Sequence, residues 1–211
     1  MGSLERRTRD REHTRRKILD AAREMFVRQG YEATTMRAIA NVVEYTPTAL
    51  YHHFENKEAL LTEIATVDFR ALAQAFLRIG RVADPLERLS RIGEAYVEFA
   101  VSHPMQYQLM FMTRRPPELA EKSGVARGDP GEDAYAFLRQ TCAEAIATGR
   151  LRPEVNDADA LAQMLWGAQH GIVSLRIAKE HDDWIPWRDV RVTARAAGDA
   201  MVRGLVNAPT D

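Results

Sequence analysis

Three polar residues stand where the sequence predicts that helices begin. Thr35 and Arg37 lie at the start of one predicted helix, and Lys57 lies at the start of another. A helix N-terminus carries unpaired backbone N–H groups and a partial positive charge, to which a guanidinium or ammonium group adds. We therefore expect these three residues to bind phosphate oxygens.

Two short helices with a tight junction would position these side chains. Thr34 or Thr35 can cap the first helix, in which apolar residues recur at helical spacing through residues 36–43. Thr46 can cap the second helix, with Pro47 at the first helical position, where the missing N–H of proline costs nothing. Two short helices joined by about three residues indicate a helix-turn-helix, whose second helix enters the major groove of DNA.

The sequence around this motif resembles the TetR-type transcriptional repressors. A helix-turn-helix spacing alone would be weak evidence, whereas many matched positions in their usual order are specific. The matched residues are Ile18-Leu19-Asp20-Ala21-Ala22, Phe26, Gly30-Tyr31, Thr34-Thr35, Ile39-Ala40, Thr46, Leu50-Tyr51, Phe54, Lys57-Glu58 and Leu60-Leu61. The resemblance implies a DNA-binding domain of three helices followed by a helical bundle for ligand binding and dimerisation.

The turn of the motif departs from the family pattern. The family usually has Gly-Val-Ser there, whereas this chain has Glu44-Tyr45-Thr46. Glycine adopts a positive φ angle without steric cost, so Glu44 is expected to carry about 1 kcal/mol of strain if the turn keeps its shape.

The resemblance also implies which residues contact DNA, with the recognition helix at residues 46–53. Hydroxyl and imidazole groups can bind base edges or phosphates, and the apolar faces of Pro47 and Tyr51 can meet a thymine methyl group. Apart from the resemblance, Tyr51 would more often be a packing residue and His52 a solvated one. The expected DNA-binding residues are Thr35, Arg37, Thr46, Pro47, Thr48, Tyr51, His52 and Lys57.

Composition and charge place the chain among ordinary globular proteins. It has 211 residues, 45% of them hydrophobic and 28% charged. No apolar run approaches the roughly 18–20 residues that span a bilayer, and the first residues are charged, so we expect a cytoplasmic protein without a membrane partner. Residues 1–17 hold seven basic and three acidic residues. This excess suits contact with nucleic acid at one end, although a frayed, solvated terminus would explain it equally well.

The helical patterns predict an all-α fold of about nine helices. We expect a basic flexible arm at residues 1–13, a helix-turn-helix domain at 14–56, and a ligand and dimer domain at 57–211. The helix from Lys57 to about Ile79 should belong to both domains.

The sequence offers no pattern for catalysis or metal binding. The six histidines form no i,i+4 pair, and the single cysteine, Cys142, lies among apolar residues within a predicted helix. Nucleotide-binding loops and nucleophile motifs are absent. We therefore expect no enzyme activity, no metal and no cofactor.

The C-terminal half resembles the TetR subgroup with a Trp-His-Gly signature. The matching residues are His103-Pro104, Tyr107, Leu109-Met110-Phe111, Trp166, His170-Gly171 and Leu175, although Trp166 lies four residues before His170 rather than beside it. The resemblance implies a pocket for a small molecule, and walls rich in Met and aromatic residues suit an apolar or planar ligand. The candidate ligand-binding residues, of which many should simply be core, are Phe76, Tyr96, Phe99, Met105, Tyr107, Met110, Phe111, Phe137, Trp166 and His170.

Small residues on the last two helices allow another helix to approach closely. The resemblance places these helices in a four-helix interface of a homodimer, whereas the sequence alone equally allows packing inside one chain. The expected interface residues are Gly167, Gly171, Ser174, Ala194, Ala197 and Met201. Two-fold symmetry would imply a palindromic operator read by recognition helices about 34–36 Å apart.

The expected function is that of a homodimeric repressor which leaves its operator when a small apolar or aromatic molecule binds. Release requires that the molecule bind more tightly to a conformation of the dimer in which the distance between the two recognition helices does not match the half-site spacing. Two other interpretations stay open: a helical adaptor or small-molecule-binding bundle without DNA activity, and an enzyme built on a helical bundle.

Overall fold

The computed structural model describes residues 3–114, 116 and 124–207. Residues 1, 2, 115, 117–123 and 208–211, which include the first two residues of the expected arm, lie outside the described part of the chain. Within the described residues there are nine α-helices: α1 Ser3–Gln29, α2 Met36–Val42, α3 Pro47–Tyr51, α4 Lys57–Leu77, α5 Pro85–Ser102, α6 Pro104–Tyr107, α7 Ala134–Ala147, α8 Ala158–Ala178 and α9 Val190–Leu205. A π-helical turn, Gln108–Met112, follows α6. The predicted all-α fold is confirmed.

The chain forms two compact units. The first unit is Met1–Asp68 with Met105–Gly124, and the second is Phe69–Pro104 with Val125–Asp211. The expected boundary at residue 56 differs from this division, because the start of α4 and the π-helical turn share the core of the first unit. Helix α4 begins in the first unit and ends in the second, since the division falls between Asp68 and Phe69.

The core of the first unit forms where apolar faces of α1, α2, α3 and α4 meet. Ile18 and Phe26 of α1, Leu50 of α3 and Ile64 of α4 are completely buried there. Leu109 of the π-helical turn completes the same cluster. This core fixes the orientation of α3, whose opposite face is exposed.

Side-chain caps set the starts of the helices around the turn. The Thr35 hydroxyl accepts a hydrogen bond from the Ala38 N–H at 3.1 Å, and the Thr46 hydroxyl accepts one from Ala49 at 3.2 Å. The Asn56 side chain accepts a hydrogen bond from Ala59 at 2.7 Å, where α4 begins. Thr34, the other candidate cap, is instead completely buried. The predicted caps at Thr35 and Thr46 are confirmed.

Helix α1 begins much earlier than the sequence pattern suggests. Residues 3–13, expected as a flexible arm, are helical and continuous with the rest of α1. They lack an apolar stripe, but Arg, Glu and Leu are good helix formers. Glu5 and Arg9, like Glu12 and Arg16, also stand at the i,i+4 spacing that favours a helix. The expectation of a flexible arm is therefore corrected for residues 3–13.

In the second unit, α9 packs against α5 and α8. The Gln169 side chain of α8 donates a hydrogen bond to the Ala194 carbonyl of α9 at 3.1 Å. A Cβ atom at Gly198 would lie 2.9 Å from the Gln169 amide nitrogen, so glycine allows this close approach. Arg191 of α9 also pairs with Glu98 of α5 at 2.7 Å.

Candidate nucleic-acid interface and effector site

The recognition helix α3 presents its polar face to solvent. Thr46, Pro47, Thr48, Tyr51 and His52 are exposed, and Tyr51 has 53% of its surface accessible. The opposite face is held by Leu50, which is completely buried. The face that the family resemblance assigns to DNA is therefore available.

The hydroxyl groups of the two capping threonines can still donate a hydrogen bond. Each of Thr35 and Thr46 accepts a backbone hydrogen bond with its hydroxyl oxygen. A hydroxyl group can accept and donate at once, so the O–H of each can still donate to a phosphate oxygen. Arg37 is exposed in the first turn of α2, beside the Thr35 cap.

The turn between α2 and α3 has the backbone shape that glycine favours. Glu44 has a φ of 63°, so the predicted positive φ is confirmed. Lys17 of α1 donates to the Val43 carbonyl at 3.0 Å. The hydroxyl groups of Thr14 and Tyr45 lie 3.3 Å apart. These contacts with α1 hold a turn whose backbone is strained.

The ammonium group of Lys57 already has partners within the protein. Its Nζ atom donates to the Tyr31 carbonyl at 2.7 Å and lies 4.1 Å from the centre of the Tyr31 ring. An ammonium group has three donors, so a phosphate can share it. Lys57 therefore also fixes the loop between α1 and α2 to the start of α4.

Arg15 has a structural role that the sequence pattern did not predict. Its guanidinium pairs with Glu63 of α4, donates to the His53 carbonyl at 2.7 Å and stacks 4.2 Å from the centre of the Phe54 ring. Arg15 thus ties α1 to the end of the recognition helix. Its position three residues before Ile18, on the core face of α1, could have indicated this role.

His53, next to the C-cap of α3, lies where its surroundings disfavour the protonated ring. Burial of the ring lowers the pKa of His53, and the positive charges of Arg11, Arg15 and His52 lower it further. The charge of Arg11 therefore acts close to the end of the recognition helix.

The second unit brings three of the expected ligand-binding residues together. The Trp166 indole N–H donates to the Tyr96 hydroxyl at 3.0 Å, and the same hydroxyl lies 3.1 Å from Nδ1 of His170. Burial lowers the pKa of His170. This group joins α5 to α8 through polar atoms.

The other expected ligand-binding residues divide between the two units. Phe76 and Phe137 pack with ring centres 6.3 Å apart, and Phe99 stacks on His103, all in the second unit. The four in the first unit are Met105, Tyr107, Met110 and Phe111. Tyr107 is completely buried beside Phe111, with ring centres 5.2 Å apart.

The second unit also contains an open cavity that the sequence analysis did not anticipate. Its volume is about 490 Å³, and α5, α8, α9 and residues 78–82 line it. None of the expected ligand-binding residues lines this cavity. Its charged lining residues are Arg78, Arg91, Glu94, Glu98, Arg191, Arg195 and Asp199.

The expected dimer residues differ in exposure. Gly167 and Gly171 are exposed on α8, and a Cβ atom at either would have no neighbour within 4 Å among the described residues. Ser174, Ala197 and Met201 are partly exposed. Ala194 is 2% exposed because it packs inside its own unit, which corrects its expected place at an interface.

The described part of the chain gives little support for a reactive cysteine, a metal site or a membrane span. Burial raises the pKa of the Cys142 thiol to about 12, so the reactive thiolate is disfavoured. No group of three or more potential metal-binding side chains occurs among these residues. None of the described helices has the length and apolar character needed to cross a bilayer.

The capped pair α2 and α3, with the polar face of α3 exposed on a helical core, defines a helix-turn-helix DNA-binding transcriptional regulator. Residues 18–64 match the profile of the bacterial regulatory proteins of the tetR family, and residues 89–205 match the tetracyclin repressor-like C-terminal domain. The chain therefore belongs to the TetR family.

Individual relatives agree with this assignment. The chain is 29% identical over 170 residues to the HTH-type transcriptional regulator UidR of Escherichia coli, covering 76% of this chain and 80% of the relative. It is 35% identical over 68 residues to the transcriptional repressor Rv1474c of Mycobacterium tuberculosis, covering 32% of this chain and 36% of that one. The crystal structure of PfmR from Thermus thermophilus superposes with a TM-score of 0.69 and 26% identity, covering 90% of this chain and 96% of that one.

Proposed function

We propose that the protein is a homodimeric repressor which binds a palindromic operator and leaves it when a small apolar or aromatic molecule binds. The observation that carries this proposal is the recognition helix, whose buried Leu50 fixes it while Thr46, Thr48 and Tyr51 face solvent. A regulator of this kind would act in the cytoplasm, where the chromosome is.

The exposed faces of α8 and α9 are an argument for the proposed homodimer. Met164, Gly167, Gly171 and Leu175 recur at spacings of three and four along α8, and all are exposed. Exposed small and apolar residues on a helix suit close packing against a second copy. Two copies related by a two-fold axis would place two α3 helices on successive major grooves.

The group formed by Tyr96, Trp166 and His170 supports the proposal that the second unit binds an effector. A tyrosine hydroxyl and a neutral imidazole can bind one polar group of a ligand, while the neighbouring aromatic rings suit a planar or apolar body. Trp166 and His170 also belong to the partial Trp-His-Gly pattern, so we place the chain in that subgroup as part of the proposal.

Selection of bound sequences from a random pool of duplex DNA tests the proposal. A two-fold symmetric consensus, bound by two chains as measured by light scattering, would support the homodimeric repressor. A screen of aromatic and apolar molecules for release of that duplex would then identify the effector class. Enrichment of no sequence would contradict DNA recognition and favour a helical adaptor.

A further inference from the structure

The N-terminal part of α1 lies ahead of the packed body of the first unit. The first buried residue of α1 is Ile18, and every described side chain from Glu5 to His13 is exposed. The matched part of the family profile also begins at residue 18. The exposed segment up to His13 therefore precedes both the buried stripe of α1 and the matched part of the family profile.

One face of α1 changes from apolar to basic along its length. Ile18, Ala22 and Phe26 form its completely buried stripe. Counting back from Ile18 by three residues and then by four places Arg15, Arg11 and Arg7 on the same face. The acidic residues of this segment, at positions 5, 10 and 12, fall outside that series.

This basic face lies on the side of the recognition helix. Arg15 donates to the carbonyl of His53, which directly follows the α3 C-cap, at 2.7 Å. The charge of Arg11 reaches the same histidine. At about 1.5 Å per residue, Arg7 lies about 12 Å beyond Arg15 along the helix axis.

The spacing of these arginines favours an anionic partner. Like charges at i,i+4 destabilise a helix by a few tenths of a kcal/mol, and phosphate groups would relieve that repulsion. No described residue accepts a hydrogen bond from Arg7 or Arg11, whereas Arg15 is engaged by Glu63 and His53. A duplex held against α3 would present phosphates to the same side.

We propose that Arg7 and Arg11 bind backbone phosphates of the DNA that flanks the base pairs read by α3. Helix α1 thereby extends the interface beyond the helix-turn-helix, with Arg15 holding the helix against the end of α3. The inference rests on the proposed DNA binding and adds a second, sequence-independent contact surface to it.

Two matched double variants test the orientation of this surface. Arg7→Gln with Arg11→Gln removes two charges from the proposed face, and Arg6→Gln with Arg9→Gln removes two charges from other faces of the same segment. Binding to the selected operator is measured by fluorescence anisotropy between about 50 and 200 mM salt. The first variant should lower the log–log salt slope by about 1.8 per bound subunit, and the second should leave it nearly unchanged.

A second measurement locates the contact on the DNA. Trimming the flanking base pairs should weaken binding of the natural chain at least about fivefold and should leave binding of the Arg7→Gln, Arg11→Gln variant unchanged. An unchanged salt slope in that variant, or equal losses in both variants, would overturn this inference while leaving operator recognition intact. If the natural chain binds no duplex at all, the proposed function itself fails, and this inference fails with it.

Discussion

Arg23 of α1 and Asp68 of α4 form a two-pronged ion pair in the first unit, with Nε and Nη2 of Arg23 at 2.9 and 2.8 Å from the two carboxylate oxygens. The Asp68 side chain is completely buried, and Gln106 donates to it at 2.9 Å. Burial disfavours the guanidinium cation, but the hydrogen bonds and charges of Asp68 and Asp20 outweigh it and raise the pKa of Arg23. The ion pair and the Gln106 hydrogen bond thus join α1, α4 and α6 at one buried carboxylate.

Replacing Asp68 with Ala should destabilise the protein by about 3–5 kcal/mol, because the Arg23 charge would be left buried without its partner. Urea unfolding monitored by circular dichroism measures this loss. Asp20→Ala is the matched control, since Asp20 pairs with the same Arg23 at 2.7 Å but its side chain is 73% exposed. The control should cost less than about 1 kcal/mol, and equal losses would contradict the special role of the buried pair.

Replacing Glu44 with Gly should stabilise the first unit by up to about 1 kcal/mol, because glycine adopts the observed φ of 63° without strain. Glu44→Ala keeps the Cβ atom and removes the charge, so it should leave the stability nearly unchanged. Thermal unfolding of the two variants separates backbone strain from electrostatics. A gain in the alanine variant equal to that of the glycine variant would assign the effect to charge instead.

Local features of the helix-turn-helix were predictable from the sequence because each depends on a few neighbouring residues. Thr46 followed by Pro47 marks a helix start wherever it occurs, and Asn56 before Lys57 does the same. The positive φ of Glu44 followed from the family turn. These features needed no knowledge of distant contacts.

Features that depend on distant contacts were not predictable. Arg23 and Asp68 are separated by 45 residues, and nothing local links them. Small residues at helical spacing suggested an interface at both Gly171 and Ala194, yet Ala194 is buried within its own unit. Small size permits close packing without indicating whether the neighbour belongs to the same chain or to a second one.

Replacing Tyr51 with Ala should weaken binding to the selected operator by about tenfold or more, because a base contact contributes about 1–3 kcal/mol. The stability should change by less than about 0.5 kcal/mol, since the side chain is 53% exposed. Tyr51→Phe distinguishes the ring from the hydroxyl group. Unchanged affinity in the alanine variant would remove Tyr51 from the DNA interface.

The charge of Arg11 should be visible in the titration of His53. The folded-state pKa of His53 is lowered by burial and by nearby cations. The folded chain therefore binds fewer protons than the unfolded chain, and stability falls as the pH drops below about 6.5 through the folded-state pKa. His53→Gln should reduce this loss.

Arg11→Gln should raise the pKa of His53 toward its ordinary value, as measured by the NMR shift of its ring protons, whereas Arg6→Gln should not. An unchanged pKa in the Arg11 variant would show that Arg11 does not lie beside the recognition helix.

Replacing Gly171 with Leu should dissociate the proposed homodimer without harming the subunit. A Cβ atom at this exposed position would have no neighbour within 4 Å among the described residues of its own chain, and leucine favours helix more than glycine does. A two-fold interface contains two copies of the added leucine, and each should destabilise the dimer by about 1–3 kcal/mol through overpacking. The dissociation constant should therefore rise at least about 30-fold. Gln140→Leu, at an exposed position of α7, is the control for added surface apolarity. Sedimentation equilibrium measures both variants, and a Gly171→Leu dimer as tight as the natural one would place the interface elsewhere.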